Sequence, residues 1–403
     1  MRASSRIKPS EEIYNVSFYH RLGKIPPKRH TTFYKEDGTL HREELFSTKG
    51  FAGVYTNRYH LHMPTAISNI EKIACPQDPI WEDAPLVWRM LHTFRSQKKG
   101  DAISSRSTYL LNQTCSIATA SPNASMEGFY KNVYAHELVF VHKGSGVCRT
   151  DFGKIDFDEG DYLVLPKGVI YQMILNHPDQ TNRMLVVTSP TPFEIPKHFR
   201  NEYGQCSESA PYCERDFRPP VELETVDEKK DHDILVKAGS TYYRHTLKHH
   251  PFDVVGWDGY EYPFAFNIKD YAPIVGKIHQ PPPVHLVFTT QGFVLCNFVP
   301  RLFDFHEQAI PAPYFHTNVD SDEVIYYVEG DFMSRKGIEE GSISHHPTGL
   351  PHGPQPGKTE QSIGKKETFE YAVMVDTYSP LQSTLCVEKT MDPSYEHSWL
   401  ELT

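Results

Sequence analysis

PYFHTNVDSDEVIYYVEG, residues 313–330, and GSISHHPTGLPH, residues 341–352, hold a spaced pattern: H-x-N-x(4)-E-x(6)-G, then G-x(5)-P-x-G-x(2)-H. The named positions are His316, Asn318, Glu323 and Gly330, then Gly341, Pro347, Gly349 and His352. The spacing has a physical cause. Side chains on a strand point alternately to its two faces, so two strands joined at a glycine turn aim every second residue to one side. A Pro-x-Gly turn then returns the chain for a further strand. His316, Glu323 and His352 can thereby converge on one ion. Two imidazoles and a carboxylate on one side of a metal leave the other side open, an arrangement suited to non-haem iron(II). Manganese and nickel accept similar ligands, and zinc is less suited because activating oxygen requires a redox-active ion.

The frame occurs a second time, upstream. Glu137 and Gly144 repeat E-x(6)-G, and Gly160, Pro166, Gly168 and Tyr171 repeat G-x(5)-P-x-G-x(2) with tyrosine in the last place. Tyr130 stands where the first histidine would be. A lone histidine among the 22 of this chain is most often a satisfied polar residue. The ordered pair of motifs and its degenerate copy have no such bland reading. The motif pair resembles the two signatures of the cupin superfamily, small double-stranded β-helix or jelly-roll barrels. An all-β bicupin is therefore expected, with a degenerate N-terminal cupin in residues 1–267 that binds no metal. A catalytic metal-binding cupin is expected in residues 268–403.

Composition agrees. The 403 residues are 39% hydrophobic and 23% charged, values of a globular chain with a sizeable core. Thirty-one prolines and 24 glycines between short apolar runs favour many strands and turns. A formal charge of -10 and no dense basic block argue against nucleic acid as a partner. No apolar run approaches the roughly 18 residues that cross a membrane. The opening MRASSRIKPSEE lacks the apolar stretch of a secretory signal. Seven scattered cysteines without C-x-x-C read as reduced thiols, which points to the cytoplasm. Residues 14–65 read as irregular strands and loops, 108–118 as one strand and 201–232 as a long polar connection. No long amphipathic helix stands out.

Beyond the cupin frame, nearly the whole chain resembles the homogentisate dioxygenase family. The resemblance lies in YHRLGKIPPKRHTTF (19–33), EELFSTKGFAGVYTNRYH (43–60), the stretch Asp253–Asp270 and the two motifs above. It implies iron(II) held by His316, Glu323 and His352. It further implies an acid/base histidine at His279, and an oligomer, a hexamer built from trimers. The substrate would be a small aromatic opened with O2, homogentisate giving maleylacetoacetate in tyrosine and phenylalanine breakdown. By position, His346 matches a histidine that contacts substrate; His352, Asn318 and Phe332 fall in the same substrate-binding region. Three departures stand out: four residues separate Asn318 from Glu323 where three are usual, Thr317 stands for an arginine, and Phe332 for a substrate-binding tyrosine. The first makes Asp322 a rival ligand, although the distance to Gly330 favours Glu323. The other two remove groups that could hold a substrate carboxylate. Gentisate or a simple hydroquinone are thus alternative substrates, and an isomerase-type or binding bicupin is the reading from another class.

The remaining residues have blander readings. His345 and His346 are adjacent on a strand, so at most one faces the barrel interior. Of Tyr326 and Tyr327, one is expected inside the barrel and one outside. His285 and His306 have no motif and read as structural or exposed. Arg301 and Arg335 could hold a carboxylate by chemistry alone, with surface ion pairs as the default.

Overall fold

A computed structural model describes residues 18–400 apart from Pro76, Ser96, Pro281 and Met333. The opening MRASSRIKPSEE lies outside the described residues. Among the described residues strands dominate, and the two α-helices, Lys358–Ser362 and Leu385–Thr390, are short. In the N-terminal half a seven-stranded and an eight-stranded sheet form the barrel. In the C-terminal half a six-stranded sheet carries Leu286–Thr289, Phe293–Phe298, Glu370–Thr377, Glu323–Gly330 and Ile343–His346. Its opposite wall is reduced to the short pair Arg301–Leu302 with Glu367–Thr368 and an antiparallel bridge between His316 and His352.

The register shows that the two copies are one design. Glu137, second in its strand, lies between Leu165 on one neighbour and Thr188 on the other. Glu323 begins its strand between His346 and Asp376. Tyr130 pairs with Tyr171, as His316 pairs with His352. Gly144 and Gly330 turn at φ 102° and 119°, where a side chain is strained. At Gly330 a Cβ would also lie 2.2 Å from the Phe369 carbonyl oxygen.

Two strand exchanges join the halves. Arg89–Leu91 adds an edge strand to the C-terminal sheet, and Gln382–Ser383 pairs back onto Ser107–Leu111 of the N-terminal one. The two-part division at residue 267 thus has strands crossing it in both directions. Between the halves Phe140, Tyr162, Phe266, Phe288 and Tyr326 interlock with ring centroids 4.9–6.3 Å apart. Burying each such ring contributes about 1.5–3 kcal/mol. Residues 108–118, expected as one strand, instead form a hairpin of Ser107–Leu111 and Ser116–Ala120. The Asn112 side chain, accepting from the backbone N–H of Thr114 and Cys115, makes the turn.

The N-terminal region expected to be irregular contains a four-stranded sheet held by buried charge. Arg58 bridges Glu44 and Asp151, and His60 lies between Asp253 (2.7 Å) and Glu44 (3.0 Å). Burial works against the His60 imidazolium, but hydrogen bonds to Asp253 and Glu44 outweigh it and raise its pKa. A raised folded pKa stabilises fully below the unfolded value of about 6.5 and ceases to do so as pH rises through the folded value. The stability gap between wild type and His60→Gln should therefore shrink as pH climbs above neutrality. Denaturant melts across that range check it.

Candidate metal centre

Three elements deliver the centre. His316 and His352 are held by reciprocal backbone hydrogen bonds of 2.9 Å, and Glu323 opens the strand behind them. The backbone carbonyls of Tyr314 and Leu350 accept from Nδ1 of His316 and His352. Those bonds fix the tautomer and leave both Nε2 lone pairs for an ion. Nε2 of His316 lies 3.4 Å from Glu323 Oε2, and Nε2 of His352 lies 3.5 Å from Glu323 Oε1. The three ligand atoms all fall within 4.8 Å of one another. Atoms about 2.1 Å from one ion and at right angles would be roughly 3 Å apart, so little movement is needed to close on a metal. The Nε2 atom of His352 is sealed from solvent without a hydrogen-bond partner among the described residues. A divalent cation is the partner that this donor set fits.

The rival carboxylate points away. Asp322 accepts from His345 Nε2 (2.9 Å), Thr348 N–H (2.8 Å) and Leu381 N–H (2.9 Å), so its oxygens are spent on scaffolding. His345 joins that outer network, its Nδ1 accepting from Arg89 at 3.0 Å. His346 faces the other way, as strand alternation requires. It is wholly buried, and its Nδ1 donates to Glu323 Oε1 at 2.7 Å while Nε2 accepts from Tyr395 (3.1 Å). Burial pushes its pKa down to about 3, against the pull of Glu323, so it is a neutral donor that orients the carboxylate. His346 thus stands beside the centre, its ring 4.4 Å from that of His352 and hydrogen-bonded to Glu323.

In front of the centre is a cavity of about 390 Å³. His316, Glu323, Asn318 and Asp376 line it, with Tyr327, Phe332, Phe298, His279, His285 and Arg301. Phe332 meets Tyr327 edge to face at 4.7 Å. Tyr326 turns to the N-terminal barrel, bonded to His142 (2.7 Å), so the two tyrosines divide as expected. His279 sits at the mouth with its side chain 41% exposed, edge-on to Tyr314 at 5.0 Å and 4.0 Å from Asp304.

Two lining residues carried no sequence signal. Asp376, cross-strand from Glu323, is half-buried, with Oδ1 shielded from solvent and unpartnered among the described residues. Burial and repulsion by Glu323 push its carboxyl up to about 8, while the H-bonded Glu323 is held far below the usual range despite burial. The other is His285, read as structural or exposed, whose pKa is pushed to about 3 by burial, then by Arg301 and His279. The reading of Arg301 and Arg335 as surface ion pairs fails. Both line the cavity, neither forms an ion pair with a carboxylate among the described residues, and Arg335 is only 6% exposed.

The degenerate barrel meets its carboxylate differently. Arg106 reaches both oxygens of Glu137 (3.0 and 3.2 Å), and Tyr130, Tyr171 and Asn132 donate to the same group at 2.9, 2.6 and 3.1 Å. A guanidinium thus supplies the positive charge opposite this glutamate. Removing one partner of such a buried pair costs about 3–5 kcal/mol. Arg106→Ala should lower stability by that amount in chemical melts and leave the C-terminal centre's metal content unchanged.

Residues 94–268 match the family described as homogentisate 1,2-dioxygenase N-terminal. A candidate dioxygenase of Saccharolobus solfataricus is 40% identical over 385 residues, covering 95% of this chain and 99% of that one. The homogentisate 1,2-dioxygenase of Bradyrhizobium diazoefficiens is 29% identical over 282 residues, 65% of this chain and 61% of its own length. Among solved structures, a candidate dioxygenase of Nostoc punctiforme is similar over 74% of this chain and 85% of its own, with TM-score 0.38 and 12% identity. Among the described residues no helix is long and apolar enough to cross a membrane.

Proposed function

This chain belongs to the homogentisate 1,2-dioxygenase family of the cupin superfamily, and from that premise we propose that it opens the ring of a hydroquinone-type aromatic with O2, homogentisate being the first candidate. The observation that carries the reading is the convergence of His316, Glu323 and His352 beneath a cavity of about 390 Å³, large enough for one small aromatic. Iron(II) held by those three side chains would supply the redox partner through which an electron-rich ring and oxygen react.

The chain's own residues supply the rest. Tyr327, Phe332 and Phe298 give the ring apolar walls and exclude water. Glu323 is kept ionised and in place by His346, which in turn is fixed by Tyr395. His279, at the mouth, is the base that takes a ring hydroxyl proton and returns it to the product. The scattered cysteines favour the cytoplasm, and the resemblance favours an oligomer built from trimers.

Oxygen uptake by iron(II)-loaded protein with homogentisate, gentisate and hydroquinone tests the reading. Rapid uptake with one of them, matched by loss of the aromatic ring, is the expected result. If none of the three supports uptake while iron stays bound, the dioxygenase reading falls.

A further inference from the structure

The degenerate barrel has a cavity of its own, about 860 Å³ in volume. Asn132 stands two residues after Tyr130, as Asn318 does after His316. Thr188 pairs across strands with Glu137, as Asp376 does with Glu323. Asn318 and Asp376 line the C-terminal cavity, and Asn132 and Thr188 line this one. The two cavities are therefore equivalent places in the two barrels. The N-terminal barrel sets Arg106 against its glutamate and still keeps the space.

The charge of this lining is positive: Lys98, Arg106, Lys167 and Lys237 stand against Asp78 and Asp101. Lys98 is paired with Asp78 at 2.7 Å, and Arg106 with Glu137. Asp101 is spent on its own turn, accepting from the N–H groups of Ile103 and Ser104. Lys167 gives one N–H to the Pro190 carbonyl (2.8 Å) and keeps others to give. Lys237 has no such commitment. Strand pairing sets it beside Asn132 on one neighbour and Tyr242 on the other. Its ammonium lies 5.9 Å from the centre of the Tyr242 ring, and no hydrogen bond or ion pair to it is seen among the described residues. Lys237 is half-buried, and that burial lowers its pKa; Glu137, already held by Arg106, offsets this only in part, and Arg106 repels it. A part-desolvated ammonium costs stability until an anion meets it.

We infer that the N-terminal barrel is a second binding site, which takes a small organic anion, a carboxylate or a phosphate ester, on Lys237 and Lys167. The volume falls within the range of about 300–1,000 Å³ usual for small-molecule pockets and is far more than an inorganic ion fills. Tyr242, Leu235 and Ile103 offer apolar surface to the carbon body, and Asn112 and Gln113 offer hydrogen bonds. The site stands whether or not the other barrel opens a ring.

Glutarate and glycerophosphate, titrated anaerobically into the metal-loaded protein by calorimetry, test the site and separate the two chemistries. Binding of one or both is the expected result. Lys237→Met keeps the apolar stem and removes the charge, so it should weaken that binding roughly 10- to 100-fold, the range for a lost charge-assisted contact. Lys237→Arg keeps the charge and should retain most of it. Denaturant melts supply a readout that a purely structural lysine would not give. Without anion, Lys237→Met should unfold at a midpoint no lower than wild type, because a part-desolvated charge is gone. With saturating anion, wild type should become the more stable of the two. Failure of both anions to bind, or binding that Lys237→Met leaves unchanged, would overturn the site. Midpoints lowered in both variants without anion would make Lys237 a structural lysine and overturn it as well.

Discussion

Glu323→Ala is expected to empty the metal centre and end ring opening together, whereas Asp322→Ala keeps the metal and loses stability. The two residues are adjacent, so composition and chemistry do not separate them; the strand does. Glu323 faces the two Nε2 atoms at 3.4 and 3.5 Å, and Asp322 faces His345 and two backbone N–H groups. Glu323 is the one anion of the ligand set. Without it two neutral imidazoles remain, and affinity should fall further than the 10–100-fold typical of losing an outer partner. At Asp322 the loss leaves the His345 ring and two amides without an acceptor in a sealed site, costing about 3–5 kcal/mol. Metal analysis of the purified variants, one ion per chain against near zero, decides between them. Metal lost from Asp322→Ala and kept by Glu323→Ala would shift the ligand register by one residue.

What was legible in the sequence was what local geometry dictates. The spacings from Glu to Gly and from Gly to His are distances along strands and turns, so they exposed both barrels, the three candidate ligands that converge and the paired tyrosines of the degenerate copy. The duplicate also supported Glu323 over Asp322, since Glu137 keeps the same seven-residue step to its glycine. Contacts between distant segments left no such trace. Asp376 reaches the centre because its strand pairs with Glu323, 53 positions away, and nothing local marks it. Arg106 stands 31 positions before Glu137, outside every motif. The partners of His346 were not legible: Tyr395, from the C-terminal 3₁₀ turn, and Glu323, on the neighbouring strand, hold its ring from two sides. The exchange of Arg89–Leu91 and Gln382–Ser383 across the halves was equally invisible, since each is a two- or three-residue strand.

His279→Asn should retain iron and ring binding yet lower turnover by roughly 10²–10⁴-fold, the range for a lost proton-transfer group. His279 lies 37 positions before His316, outside both motifs, but the fold brings it to the mouth of the same cavity. The Tyr314 ring contacts both, 5.0 Å from His279 and 6.4 Å from His316 by ring centroids. His279 is not among the three side chains whose ligand atoms converge, so its imidazole is left for proton transfer. Asp304 at 4.0 Å is near enough to orient the ring after a small closing movement, and the half-exposed position lets a proton exchange with solvent between turnovers. Asparagine keeps a polar side chain of similar reach but cannot accept and return a proton at neutral pH. A metal-ligand variant loses iron and turnover together; the His279 variant should separate them. Single-turnover kinetics on iron-reconstituted protein make the distinction, because they isolate chemistry from product release. Full iron with unchanged single-turnover rate would reduce His279 to a residue of the cavity rim. The base would then be sought in His285, another imidazole lining the cavity, since His346 is buried and bonded to Glu323.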